Sequence, residues 1–358
     1  MRKLVLFPVL ALALLALTGC FGKGSPAPTE APASTPAPTE EPTPAPTEEP
    51  TPTPTEEPTA APTEDPAAAL GEYARECVLS AAKRMDRVIE YIAEDPIAFD
   101  SSTNPFVPAD MRSRLSEEGK GYYDLMLEAA ESFAPLELTG SFDEALAARD
   151  ALLFDRPDIE TYFTMMTTGT KNSDPCLWYS VYFLPEGPRV EATEDMEAVK
   201  AQAEAFRAVG EYVASRVPED FSVIDKYRAL AYYISLTSQY CYTHGNIPPY
   251  ATGAYGALIN GYSICQGYTI GFEYLCRCAN LDCRRVRNAF NDDNMHFWDI
   301  VTLDGGTYYV DVTWADGSAS TFRERGWFEW FMFTADRHHV SNDGTSTTGP
   351  KLRREDWS

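Results

Sequence analysis

His296-Phe-Trp-Asp-Ile-Val-Thr-Leu-Asp-Gly-Gly-Thr-Tyr-Tyr-Val-Asp-Val-Thr-Trp314 is the stretch that decides the fold. Two β-rich runs flank Asp304-Gly305, a dipeptide suited to a two-residue hairpin loop because both loop positions take a positive φ. With those two residues as the loop, Leu303 pairs with Gly306. Counting outward sets Asp311 opposite Trp298 and Thr313 opposite His296. Side chains alternate between faces along a strand. His296 and Asp311 therefore share one face as diagonal neighbours, within reach of an imidazole–carboxylate hydrogen bond. The opposite face carries Val301, Leu303, Tyr308 and Val310, is apolar apart from Asp299, and is expected to be the buried side.

Upstream, a loop rich in Gly and Asn (250–264) runs into Cys265, and Tyr268, Phe272, Leu275 and Ala279 follow at helical spacing. The pattern places Cys265 at the start of an amphipathic helix. Unpaired amides and a partial positive charge at that end favour a thiolate and can hold an oxyanion opposite it. A lone Cys is more often a buried core thiol, and a lone His on a strand is more often structural. The chain has four His, and of these only His296 lies on a strand whose hairpin partner offers a carboxylate on the same face. A nucleophile, a base and a residue orienting the base are the parts of thiol-based acyl transfer: Cys265, His296 and Asp311 are the expected catalytic residues.

These blocks resemble the transglutaminase-like superfamily, which shares the papain-type Cys-His-Asp/Asn arrangement. The bacterial pattern is a Gly-rich lead into Val-Cys-x-Gly-Tyr, then a His-Ala-Trp-Asn strand, then Trp-Tyr-x-Val-Asp-x-Thr-Trp. This chain has Ile264-Cys265-Gln266-Gly267-Tyr268, His296-Phe297-Trp298-Asp299 and Tyr308-Tyr309-Val310-Asp311-Val312-Thr313-Trp314, in the same order. Phe297 and Asp299 depart from the pattern, away from the triad positions. The resemblance implies an α+β fold with a nucleophile helix packed on an antiparallel sheet, and attack of a thiolate on an amide carbonyl to give a thioester. Water as acceptor makes a peptidase or amidase; a lysine amine makes a crosslinking acyltransferase. Tyr262, Tyr268 and Trp298 are candidates for aromatic walls that bind substrate. No metal or organic cofactor is required by this chemistry.

Outside this segment the chain divides by composition. Arg2 and Lys3 precede an apolar run from Leu4 to Leu17 that is short for a membrane span. Leu17-Thr18-Gly19-Cys20 resembles a lipobox, so residues 1–20 are expected to be a lipoprotein signal with Cys20 lipidated. Residues 21–68 hold 14 of the 27 Pro, alternating with Thr, Glu and Ala. At roughly 3.1 Å per residue in polyproline II, this linker would reach well beyond 100 Å. Residues 69–144 read as a helical N-terminal region, with apolar residues at helical spacing over 71–93 and a second helical stretch near 111–134. Residues 145–350 are assigned to the transglutaminase-like domain. Within it 142–154, 193–216 and 222–237 read as helices and Leu177–Phe183 as a strand.

The formal charge is −25, and beyond residue 68 the chain still has 26 basic against 45 acidic side chains. That disfavours nucleic acid as a partner and simple docking on an anionic membrane. No Walker loop, His-Glu-x-x-His or dinucleotide fingerprint is present. Cys276, Cys278 and Cys283 are close in sequence, but on a helix Cys276 and Cys278 would point about 200° apart, a poor start for a zinc site. An odd thiol count after Cys20 leaves one Cys unpaired, which suits a catalytic owner. The sequence therefore predicts an extracytoplasmic, lipid-anchored thiol enzyme acting on protein or peptide, with cell-wall peptide a candidate substrate. A non-catalytic peptide- or wall-binding module on the same fold, or a wall-spacing lipoprotein, is the alternative.

Overall fold

The computed structural model describes residues 70–97, 101–134, 136–138, 140–164, 178–179, 192–241, 250–288, 295–316, 330–334, 339–341 and 344–350. The leader, Cys20, the linker, Cys176 and most of the 177–183 run lie outside the described residues. No described helix is long and apolar enough to cross a membrane.

The chain mixes helices with small sheets, an α+β organisation. Its first helix, α1 (Glu72–Glu94), buries Val78, Met85, Val88 and Ile92, a stripe at helical spacing. It packs with α5 (Ala192–Arg216) and α6 (Val223–Thr237) around one core. In that core lies α7 (Cys265–Cys278), which buries Tyr268, Phe272 and Leu275. Each such side chain withdrawn from water contributes about 1.5–3 kcal/mol.

After the two-residue pairs β1 (Glu137–Leu138) with β2 (Trp178–Tyr179) and β3 (Gln239–Tyr240) with β4 (Tyr262–Ser263), a three-stranded antiparallel sheet packs on α7, in the order β5 (Arg284–Arg287), β6 (Phe297–Leu303), β7 (Gly306–Val310). The hairpin register is the one counted from the sequence: Leu303 pairs with Gly306 and Asp299 with Val310. Asp304 and Gly305 take φ of 50° and 76°, the left-handed pair that a two-residue turn requires.

A second core holds α2 (Glu117–Ser132), α3 (Phe142–Asp155) and α4 (Glu160–Thr164), closed around Tyr123, Met126, Leu152, Ile159 and Tyr162. Ser116 and Ser141 cap α2 and α3 by accepting the amide protons of Gly119 and Glu144. The expected division of a helical region at 69–144 from a domain at 145–350 falls within an element. Residue 144 lies inside α3, and α1 belongs to the core around α7 because its apolar stripe is buried against α5 and α6. Helix α5 links the two cores, giving Val199 to one and Phe206, Val209 and Val213 to the other.

Two further expectations differ. The run after Val310 leaves the sheet, so Thr313 does not pair with His296: Val312–Ala315 form a helical turn, α8, capped by Asp311. The hairpin face carrying His296 is not the solvated one either. Val286, Trp298, Ile300 and Tyr309 make a third, aromatic cluster there, so the sheet is covered on both sides.

Candidate active site

Helix α7 starts at Cys265, with no side-chain cap and no acidic residue in its first turn. Its amide donors and partial positive charge are thus left for whatever approaches the sulfur. The preceding loop is fixed from below. Both Ile264 N and Ser263 Oγ donate to the Ala251 carbonyl, at 2.9 and 2.8 Å. Gly267 makes this approach possible, because a Cβ there would stand 2.8 Å from that same carbonyl and 2.0 Å from Ser263 Oγ. Buried Glu160 accepts from Tyr255 N at 3.2 Å and anchors the same loop to α4; burial pushes its carboxyl up to about 7.

His296 enters from the start of β6. Asn288, at the end of β5, holds its backbone at both ends: Asn288 Oδ1 accepts from His296 N at 3.1 Å, and Asn288 N donates to His296 O at 3.0 Å. The imidazole interacts with Cys265, which helps to hold its charge, and its Nε2 is 2.5 Å from Asp311 Oδ2. Trp314 stacks on the ring with centroids 5.1 Å apart. Cys265 is 7% exposed, His296 9% and Asp311 0%. The structure thus brings the three residues singled out in the sequence to one place.

Burial alone would lower the imidazole pKa. The Asp311 charge and hydrogen bond, with Cys265 on the other side, outweigh burial and hold the group up at about 10. Asp311 shows the reciprocal effect: burial opposes its ionisation, but His296 and a hydrogen bond from His339 keep it below the usual carboxylate range. His296 is therefore poised as a cation, and Asp311 as its buried counter-ion.

Sequence reasoning missed several supporting residues. Trp330 O accepts from Asp311 N at 2.8 Å, and Tyr309 and Phe333 exchange both backbone hydrogen bonds, so residues 330–333 fix the end of β7. His339 Nε2 lies 3.1 Å from Asp311 Oδ2, the same oxygen that meets His296. The available signal was the aromatic-rich run through Trp330, Phe331 and Phe333, followed by His338-His339.

The expected aromatic walls divide. Tyr268 and Trp298 are fully buried: Tyr268 donates to Asp316 Oδ2 at 2.6 Å, and Trp298 packs edge-on against Tyr309 and His339. They support the site from behind and do not line an open wall. Tyr262 is part-exposed in the segment that leads into Cys265.

Two donor sets bear on metals. Cys276 and Cys278 face different elements, Cys276 toward Cys283 and Cys278 toward Gly210 of α5. The described residues do contain one compact donor group, His296, Asp311 and His339, with ligand atoms within 4.8 Å of one another. Both Nε2 atoms already stand at hydrogen-bond distance from Asp311 Oδ2, so the group is satisfied as a proton network without an ion. Six described cysteines, Cys265 among them, are unpaired. No protein-family model matches the chain, and no curated protein matches it.

Proposed function

We propose that the chain is a thiol enzyme of the transglutaminase-like, papain-like kind, attacking peptide amide bonds through Cys265, His296 and Asp311. One observation carries the reading: a cysteine at a helix N-terminus interacts with an imidazole whose Nε2 is held by a buried carboxylate. The His296 cation carries the proton that Cys265 has given up, and the thiolate sulfur adds to the amide carbonyl carbon. First-turn amides of α7 are placed to receive the oxyanion. The C–N bond then breaks, the amine leaves with a proton from His296, and a thioester remains on Cys265. Water or an amine, deprotonated by His296, attacks that thioester; the C–S bond breaks, the acyl group leaves as acid or new amide, and Cys265 is freed with the proton held by His296. Asp311 keeps the imidazole oriented and stabilises its cation throughout.

The site can act on either acceptor, so the reaction class is hydrolase or acyltransferase. The lipobox-like Leu17–Cys20 run and the Pro-rich stalk support an enzyme tethered by lipid at Cys20 outside the cytoplasm. A protein or peptide substrate, including cell-wall peptide, fits that placement.

The test is selective alkylation. Burial pushes the thiols of Cys276 and Cys283 up, which leaves them unreactive near neutral pH. Iodoacetamide near pH 7, followed by peptide mapping, is expected to label Cys265 first, and the rate to drop in His296→Ala. Uniform slow labelling of all thiols would reduce the domain to a binding module. Incubation with a Gln-containing peptide and a labelled amine then separates the acceptors: incorporated label means transfer, free acid alone means hydrolysis.

A further inference from the structure

We infer that His339 is a positioning residue of this site, a second imidazole that holds the Asp311 carboxylate ionised and in line with His296. The inference rests on the thiol-enzyme reading of Cys265 and His296 and adds a residue that the reading does not require.

Asp311 has two oxygens and three donors. Oδ1 accepts from Trp314 N at 3.0 Å, which caps α8 and fixes the rotation of the carboxylate. Oδ2 receives His296 Nε2 at 2.5 Å and His339 Nε2 at 3.1 Å. A carboxylate with no exposure has no water to complete its shell, and an acceptor left short in that setting carries its full desolvation cost. His339 supplies the missing donor. With hydrogen on Nε2, it adds a second donor to the oxygen that also meets His296.

The surroundings fit this role. His339 has no exposure, and the rings of Phe333, Trp314, Trp298 and Trp330 lie 4.7, 4.8, 4.9 and 5.6 Å from it by centroid. With no exposure, solvent has little access to its N–H. The segment is tied to the base as well: Ser341 bridges Asn288, the residue that holds both ends of the His296 backbone. Among the described residues, the titratable groups around Asp311 are thus His296 and His339 beside it, Cys265 next to His296, and Asp299 across the sheet.

The experiment compares wild type, His339→Gln, which retains a side-chain N–H donor, and His339→Met, which fills similar volume without one. Each is read by the pH profile of iodoacetamide labelling at Cys265. His339→Met is expected to label roughly tenfold more slowly, the weight of one hydrogen bond to a charged group. Its alkaline limb is expected to move to lower pH, because a loosened Asp311 stabilises the His296 cation less. His339→Gln is expected to recover both. A folded His339→Met with the wild-type rate and profile overturns the inference. If His339→Met does not fold, wild type decides by nitrogen-15 NMR of the imidazoles. Hydrogen on Nε2 of His339, in slow exchange, is the expected result; a proton on Nδ1 alone overturns it. If Cys265 is not selectively labelled even in wild type, the thiol-enzyme reading fails, while the tautomer still reports on the His339–Asp311 bond.

Discussion

The hairpin of β6 and β7 carries two fully buried carboxylates, Asp311 toward the imidazoles and Asp299 toward α7, and their surroundings drive them in opposite directions. Asp311 lies below the usual carboxylate range because His296 and His339 outweigh its burial. Asp299 is pushed well above it. Burial is the main cause, Glu273 adds repulsion, and the Arg285 guanidinium offsets only part. Its Oδ1 accepts only a long contact from the Cys283 thiol at 3.6 Å, and its Oδ2 has no partner among the described residues. Burial is common to both, so it does not decide charge. The number and strength of donors does.

The largest effect is expected from breaking the satisfied side. Asp311→Ala leaves two imidazoles without their acceptor and removes the cap of α8, a loss of about 3–5 kcal/mol for one partner of a buried charged pair. Linkage sets the window. Asp311 has a lowered folded pKa, so its contribution is present above the unfolded value, about 3.9, and is lost as pH falls through the folded one. His296 has a raised folded pKa, so its contribution is complete below about 6.5 and is lost as pH rises through about 10. Urea unfolding should show the gap between wild type and variant widest between those limits and narrower on both sides. A gap under about 1 kcal/mol at pH 5–6 would mean that the hydrogen bonds do not offset the burial of this pair.

A smaller effect is expected on the other face, from Arg285. Its Nε is 2.6 Å from Glu273 Oε2, its Nη2 donates to Phe154 O at 2.6 Å, and its guanidinium carbon lies 3.9 Å from the Phe154 ring centroid. One cation thus ties β5 to α7 and to the core built on α3. Arg285→Met is expected to cost about 2–3 kcal/mol, less than Asp311→Ala because Glu273 can take up a proton instead of remaining buried and charged. Burial already raises Glu273 and Arg285 holds it back, so the cost should grow as pH rises. Thermal unfolding at pH 5 and pH 8 checks this, and an equal loss at both sinks the shared-cation account.

Legibility in the sequence followed the range of the interactions. The Asp304-Gly305 turn and strict alternation set the hairpin register, because a one-residue slip would invert both faces. Helix α7 and its opening Cys265 were legible from local periodicity. The strand after Val310 was overextended: Asp311 in fact caps a helical turn, and Asp/Asn caps compete with strand continuation over only a few residues. Strand β5, four residues rich in Arg, carried no alternating apolar signal. His339 was illegible for another reason. It meets Asp311 from 28 residues away, through a segment whose only local mark is aromatic density. The split at residue 144 was read from composition, which cannot tell which of two cores a helix covers.

The smallest effect, and the sharpest test of the contrast, is Asp299→Asn. The amide copies the shape of a neutral acid, and its Oδ1 can go on accepting from Cys283. At the acid end, where burial favours the neutral acid, the change should stay within about 1 kcal/mol, the usual limit for a near-isosteric swap. The pH trend carries the argument. A group whose folded pKa is raised gives stability that is full below its unfolded value, about 3.9, and fades as pH rises toward the folded one. Wild type therefore loses ground from about pH 4 upward through this residue, and Asn, which does not titrate, does not. The variant should gain on wild type between pH 5 and pH 8, in the direction opposite to Asp311→Ala near the acid limit. A constant difference would mean that Asp299 is ionised on folding. The two carboxylates would then differ in partners but not in charge.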